Sequence, residues 1–182
     1  MRDLNKLMKL LFILPFITLS FFGHAQFDTI GQITKYVNES YNVQYPASWT
    51  IDTSKKLGAD FFIFSPKEND SDKFRENVNL IVQDLSGQNI DLDKYAQISE
   101  GQIKELATDG KIYESKKITT AKTEYYKIIY SMTQSVFKLK IEQYYLVKND
   151  KAFVITFSSE FDKFDVFKIV GEEILNSFTL TK

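Results

Sequence analysis

Phe137-Lys138-Leu139-Lys140-Ile141-Glu142-Gln143-Tyr144-Tyr145-Leu146-Val147, then Lys148-Asn149-Asp150-Lys151, then Ala152-Phe153-Val154-Ile155-Thr156-Phe157-Ser158, is the stretch on which the fold turns. Its opening residues alternate. Phe137, Leu139 and Ile141 fall on one face of an extended chain, while Lys138, Lys140 and Glu142 fall on the other, the pattern of a half-buried antiparallel strand. Asn149 and Asp150 belong to the few residue types that tolerate the left-handed backbone of a tight hairpin turn. Strands joined this closely pair antiparallel, because a parallel crossover needs a dozen or more residues.

The same periodicity extends outward. Upstream, residues 111–119 and Thr123-Glu124-Tyr125-Tyr126-Lys127-Ile128-Ile129-Tyr130 read as two further strands. Earlier still, Tyr41-Asn42-Val43-Gln44-Tyr45 alternates and stops at Pro46, Trp49-Thr50-Ile51 resumes, and Phe61-Phe62-Ile63-Phe64 is apolar on both faces. Asn77-Val78-Asn79-Leu80-Ile81-Val82-Gln83-Asp84 sets Val78, Leu80 and Val82 on one side. Residues 26–35 are mildly polar and read as a lead-in segment, with strand character beginning at Tyr36.

Twice the period changes to that of a helix. Asp91 is a good N-cap for a helix over 91–108, whose Leu92, Tyr95, Ala96, Ile103, Leu106 and Ala107 share one side. Gly101 inside it costs about 1 kcal/mol against alanine, and close packing on the sheet is the reason the sequence suggests. A last helix covers 161–176, with Phe164, Phe167, Val170, Ile174 and Phe178 as its buried stripe and Ser159 as its expected cap. Strands, helix, strands, helix is an α+β order: a central antiparallel β-sheet flanked by helices, an α/β/α sandwich.

The first 25 residues stand apart. Arg2, Lys6 and Lys9 precede the apolar run Leu10-Leu11-Phe12-Ile13-Leu14-Pro15-Phe16-Ile17-Thr18-Leu19-Ser20-Phe21-Phe22, and Gly23-His24-Ala25 supplies small residues at a cleavage point before Gln26. This is the pattern of a secretory signal peptide, its apolar run short for a membrane span. The expectation is residues 1–25 as signal and residues 26–182 as one domain, extracytoplasmic (periplasmic or secreted) and without membrane insertion after cleavage near Ala25. Removing the signal takes away the single histidine, and the chain has no cysteine. Nucleophile–base pairs that need either residue, and most transition-metal sites, go with them. The remaining 20 Lys and Arg against 23 Asp and Glu leave a net charge of −3, which carries no nucleic-acid footprint. Seven glycines in all, with no glycine-rich loop or dinucleotide fingerprint, argue against phosphate cradles.

Several positions together suggest a family: Tyr41, Tyr45, Pro46 and Trp49 at the first strand, the aromatic strand at 61–64, and Asn77, Val78, Leu80 and Val82 in the next. The central helix, the Tyr-rich hairpin reaching Phe153-Val154-Ile155-Thr156-Phe157-Ser158, and the closing Ile174-Leu175-Asn176-Ser177-Phe178 complete the set. Over most of residues 36–179 the chain resembles the PsbP-like superfamily, which includes the extrinsic oxygen-evolving proteins of photosystem II; small exported bacterial proteins of unassigned role and Ran-binding nuclear-transport proteins are similar in fold. The resemblance implies a central antiparallel sheet with flanking helices, and members that mostly act as binding or assembly factors. Photosynthetic members are linked to manganese and calcium handling, but their histidine-dependent contacts have no counterpart in a mature chain without histidine. The matching positions carry fold rather than activity.

Few constellations suggest chemistry. The stretch Glu68-Asn69-Asp70-Ser71-Asp72, with Glu76 and Asn77 beyond it, has the oxygen ligands calcium wants, but lacks the glycine and terminal glutamate of a calcium-loop motif; a solvated polar loop is the plainer reading. Asp91 with Asp93, and Glu172 with Glu173, are carboxylate pairs that capping and helix geometry explain. Ser158 or Ser159 with Lys151 would make a histidine-free nucleophile, without the glycine turn of an oxyanion hole. Tyr113, Tyr125, Tyr126, Tyr130, Tyr144 and Tyr145 fall on neighbouring strands beside Lys127, Lys138 and Lys140, a composition suited to a protein or an acidic, ring-bearing ligand. Lysines on a sheet are also ordinary protection against edge pairing. From these, Tyr125, Lys127, Lys138, Lys140, Tyr144 and Tyr145 form the candidate partner surface, with no catalytic, cofactor or metal residues assigned. The expected role is an exported, non-enzymatic binding or assembly-accessory domain with a protein partner. The alternatives are a small-ligand carrier, its aromatic-lined pocket between helix 91–108 and the sheet, and a His-independent hydrolase.

Overall fold

The computed structural model describes residues 31–181. The decisive hairpin forms as read: β8 (Phe137–Lys148) and β9 (Lys151–Glu160) pair antiparallel from Lys148↔Lys151 to Leu139↔Glu160. Its two turn residues, Asn149 and Asp150, both have positive φ, the backbone that suits the twist of the flanking strands. Five other strands extend the sheet: β3 (Thr50–Asp52), β4 (Phe61–Phe64), β5 (Asn77–Asp84), β6 (Lys111–Thr119) and β7 (Glu124–Gln134). The order is β3-β4-β5-β9-β8-β7-β6, with every neighbouring pair antiparallel. A smaller sheet, β1-β2-β10, joins β1 (Ile33–Val37) and β2 (Tyr41–Pro46) to β10 (Thr179–Leu180).

A core lies on each face of the large sheet. On one, α1 (Leu92–Leu106) lays Leu92, Tyr95, Ala96 and Ile103 over Ile128, Tyr130, Ile141, Tyr145 and Val154. Its start is set by Asp91, whose carboxylate accepts from the Lys94 amide at 2.8 Å. On the other, α2 (Phe164–Ser177) and β2 bury Phe164, Ile174, Tyr41 and Val43 against Ile63, Leu80, Ile155 and Phe157. The fold is therefore α+β, an antiparallel sheet with helices on both faces. Among the described residues no helix is long and apolar enough to cross a membrane.

Four local expectations are corrected. Strand structure begins at Ile33, three residues before the expected Tyr36, because β1 pairs with the whole of β2. The polar side of β8 is covered as well: α2 lies over it, and Glu142 is 0% exposed. Ser159 does not cap the last helix. It is buried in β9, and a 3₁₀ turn, Phe161–Lys163, leads into α2 without a side-chain cap. Gly101 is not held by packing, since a Cβ there would meet nothing within 4 Å.

Gly171 is the glycine that packing requires: a Cβ would sit 2.6 Å from the Phe157 ring. Gly171→Ala is expected to cost about 1–3 kcal/mol by overpacking. Gly101→Ala is expected to gain about 0.5–1 kcal/mol, as helix propensity alone predicts. Urea denaturation of the two variants, with an unchanged slope, checks both signs.

Candidate functional site

The register places five of the six candidate residues on the face that carries α2. Lys127 stands opposite Tyr144, Ser131 opposite Lys140, and Thr133 opposite Lys138, while Tyr125 lies two residues from Lys127 on the same side. Tyr145 pairs with Tyr126 on the α1 face and is 0% exposed. Its ring meets Tyr95 edge-on at 5.4 Å, and its hydroxyl donates to Gln143 Oε1 at 2.7 Å. Neighbours on a strand point to opposite faces, so Tyr144 and Tyr145 do not share a surface. Tyr130, beside the set, is also buried on the α1 face.

The five residues divide into two clusters along α2. Near its C-terminal end, Lys127 Nζ lies 2.8 Å from Glu142 Oε1 and 2.9 Å from Glu172 Oε1. Tyr125 and Tyr144 are in ring contact at 4.6 Å, and the buried Tyr144 hydroxyl donates to Asn176 Oδ1 at 3.2 Å. Burial raises the Glu142 carboxyl above its ordinary range, partly offset by Lys127. Burial works against the Lys127 charge, but hydrogen bonds to Glu142 and Glu172 outweigh it and hold the ammonium above the usual lysine range. Burial, then the Glu142 charge, keeps the Tyr144 phenol protonated. This cluster is internal and holds α2 to the sheet.

Near the N-terminal end of α2 the surface is open. A β-bulge between Ile112 and Glu114 turns Tyr113 onto the α2 face, where its hydroxyl lies 3.1 Å from Ser131 Oγ. Lys111 Nζ stands 5.1 Å from the Tyr113 ring centre, and Lys140 Nζ stands 5.6 Å from Tyr113 and 4.4 Å from Phe164. Lys138 Nζ lies 4.2 Å over Phe161. Tyr113 is 44% exposed, and Lys111 and Lys138 are exposed. The result is a ladder of lysines on aromatic faces, each contact worth about 0.5–1 kcal/mol at an exposed site. Sequence reasoning named Tyr113 among the tyrosines of neighbouring strands but left it out of the candidate surface, since a bulge does not register in an alternation pattern, and it missed Lys111.

The acidic stretch 68–77 already has its cation. Lys163, in the turn before α2, places Nζ 2.9 Å from Glu68 Oε2 and 2.7 Å from Glu160 Oε2. Within the loop, Asp72 accepts from the Glu68 and Phe74 amides, and Asn69 from the Ser71 amide and hydroxyl. Among the described residues no group of three or more His, Cys, Asp or Glu side chains is arranged to hold a metal ion. Glu76, which closes the loop, is 0% exposed; its Oε1 accepts from Ser159 Oγ at 3.3 Å and its Oε2 has no partner. Burial pushes its carboxyl up to about 7, against the pull of a backbone hydrogen bond and of Lys163.

The other constellations are kept apart or fully engaged. Asp91 caps α1, and Asp93 lies 3.2 Å from Lys117. Glu172 is paired with Lys127, while Glu173 is exposed. Ser158 and Ser159 are buried at one end of β9 with Lys151 at the other, about 23 Å away along an extended strand. Beneath α1, where an aromatic pocket was expected, Tyr95, Tyr145 and Ile103 fill the space and Tyr95 donates to Gln83 Oε1 at 2.6 Å.

Two outcomes follow from these buried charges. Lys127→Met strands Glu142 and is expected to cost about 3–5 kcal/mol, most of it recovered in Lys127→Met/Glu142→Leu, in paired denaturation experiments. For Glu76 the folded pKa lies above the ordinary 4.5, so the folded state holds the proton more tightly than the unfolded chain. Stability therefore falls as pH rises from about 4.5 to about 7, then levels off. Glu76→Gln removes this loss: at pH 8 it is expected to exceed wild type by on the order of 3 kcal/mol, the two converging near pH 4.5, by urea titration across pH.

No family model matches the sequence, and no curated protein matches it. Solved structures do. The solution structure of the cyanobacterial PsbP protein CyanoP from Synechocystis superposes with a TM-score of 0.61 at 14% identity, over 87% of this chain and 98% of that one. LpqN of Mycobacterium tuberculosis, involved in cell envelope biogenesis, gives 0.62 at 15% identity over 84% and 93%. PA94 of Pseudomonas aeruginosa, a protein of unknown function, gives 0.59 at 10% over 84% and 99%. At these identities the likeness speaks for architecture, and the architecture is the PsbP-like fold.

Proposed function

We propose that residues 26–182 form an exported, non-catalytic accessory domain that binds another protein through the lysine–aromatic ladder, with residues 1–25 removed as a signal peptide near Ala25. The observation that carries the reading is the ladder itself: Lys111, Tyr113, Lys138 and Lys140 with Phe161 and Phe164, an aromatic and cationic surface at the open end of α2. Such a surface favours a partner segment bearing carboxylates and flat side chains. The involvement of LpqN in cell envelope biogenesis and the fold shared with CyanoP, a cyanobacterial PsbP, support an accessory role outside the cytoplasm. Tyr125, Lys127 and Tyr144 serve this surface indirectly, by fixing α2 in place, and Tyr145 belongs to the opposite core.

The test is affinity capture from the native cell envelope with residues 26–182, wild type against Tyr113→Ala and Lys111→Glu/Lys138→Glu. A stoichiometric partner is expected, weakened by more than about 1 kcal/mol, roughly fivefold, in both variants at unchanged Tm. Equal capture by all three proteins would remove the ladder from the binding surface. A small molecule retained by the native protein in mass spectrometry, with no protein partner, would favour the carrier.

A further inference from the structure

Glu76 has no place in the binding surface just described, yet it lies in the same cross-sheet row. From β4 outward, Ser65 bonds its amide to the Glu76 carbonyl at 2.8 Å, Ser159 Oγ donates to the Glu76 carboxylate, and Lys140 stands opposite Ser159. The Glu76 side chain is fully buried, and both its Oε2 and the neighbouring Ser65 Oγ lack a hydrogen-bond partner. A buried carboxylate in that state is costly; a neutral carboxyl is much less so.

The charged groups around it come from three elements. The loop between β4 and β5 brings Glu68 and Asp72, the end of β9 brings Glu160, and the turn Phe161–Lys163 brings Lys163; Lys140 on β8 lies one strand further along the row. Lys163 is already shared by Glu68 and Glu160. With Glu76 neutral, Lys163 answers Glu68 and Glu160, while Arg75, next to Glu76 in the chain, offsets Asp72. With Glu76 ionised a third carboxylate falls to Lys163, and this one is beyond the reach of water.

We propose that Glu76 is a proton-controlled latch: while its carboxyl is neutral, the 65–76 loop and the Phe161–Lys163 turn stay closed over it, and when the proton leaves to solvent both segments loosen to hydrate the charge. The turn carries Phe161, the ring beneath Lys138, so loosening it disturbs one rung of the ladder. That link to binding rests on the reading given above, whereas the latch itself stands on the buried carboxyl and its neighbours.

Hydrogen exchange of the full mature chain tests it, read in peptides spanning 65–76 and 158–164, with 92–106 in α1 on the opposite face as internal reference and rates corrected for intrinsic pH dependence. Protection in the two latch peptides is expected to fall as pH rises from 4.5 to about 7, by at least about tenfold in total, and then level off, while the reference holds. Glu76→Gln should abolish the fall. If wild-type protection in these peptides is independent of pH, or if the variant shows the same fall, the latch is wrong. A carboxyl-carbon NMR titration needs no variant: Glu76 is expected to titrate near 7, and titration with the ordinary glutamates would overturn the proposal. Ladder variants assayed for capture at a single pH judge the binding surface separately, so each idea fails on its own measurement.

Discussion

Gly171 lies against the ring of Phe157 so closely that a Cβ there would sit 2.6 Å from it, and much of the arrangement depends on that contact. A helix that rests on a sheet through a residue without a side chain sits lower than one held off by leucines, and its flanking side chains reach further down. Phe164 and Phe167 at one end and Ile174 and Leu175 at the other then enter the same core as Ile155, Leu80 and Ile63. The low seat of α2 also brings Glu172 to Lys127, and through it to Glu142 in the centre of β8, which is how a carboxylate comes to lie fully buried under a helix. Buried pairs of this kind add little net stability against a hydrophobic replacement, but they penalise any shift that separates them.

Charge is used differently at the two ends of α2. At the C-terminal end, Lys127 and Lys168 offset Glu142 and Glu172, and the surface is spent on holding the helix. At the N-terminal end Lys111, Lys138 and Lys140 lean on aromatic faces, with Asp165 3.8 Å from Lys140 as a carboxylate partner, so their positive charge is only partly compensated and stays available outward. Lys163 sits between these regimes. It adds a further positive charge to those of Lys73 and Arg75, which the acidic 68–77 stretch carries itself, and places it between Glu68 and Glu160.

What could be read from the sequence follows from the range of the interactions concerned. The β8–β9 hairpin and the start of α1 are governed by neighbours, Asn149 with Asp150 and Asp91 with Lys94, and both were legible. The burial of Glu142 was not, because its cover, Glu172 and Lys127, comes from distant strands and helices, and a charged residue in an alternating strand reads as solvent-facing. The division of Tyr144 from Tyr145 was present in the period-two rule, yet grouping residues by composition obscured it. Tyr113 was named with the other strand tyrosines but not placed on a face: its direction is set by a bulge, and nothing in Lys111-Ile112-Tyr113-Glu114 announces one. The role of Gly171 needed the position of Phe157, which only packing supplies, whereas Gly101 has no such neighbour and the packing reason first offered for it has nothing to act on.

The small sheet has a kinetic meaning. β2 pairs on one side with β10, Tyr41 opposite Leu180 and Asn42 opposite Thr179, and Ser177 bonds the backbone of Gln44 across 133 residues. Such contacts close very long loops among the described residues, and a strand early in the sheet waits for residues late in the chain before it is secured. The core beneath α2 is therefore completed late, after the long hairpins have formed locally. A chain that emerges gradually, in either direction, remains unfinished until nearly all of it is free, and during that interval Tyr41, Val43 and Trp49 are the aromatic and aliphatic groups left without their final cover.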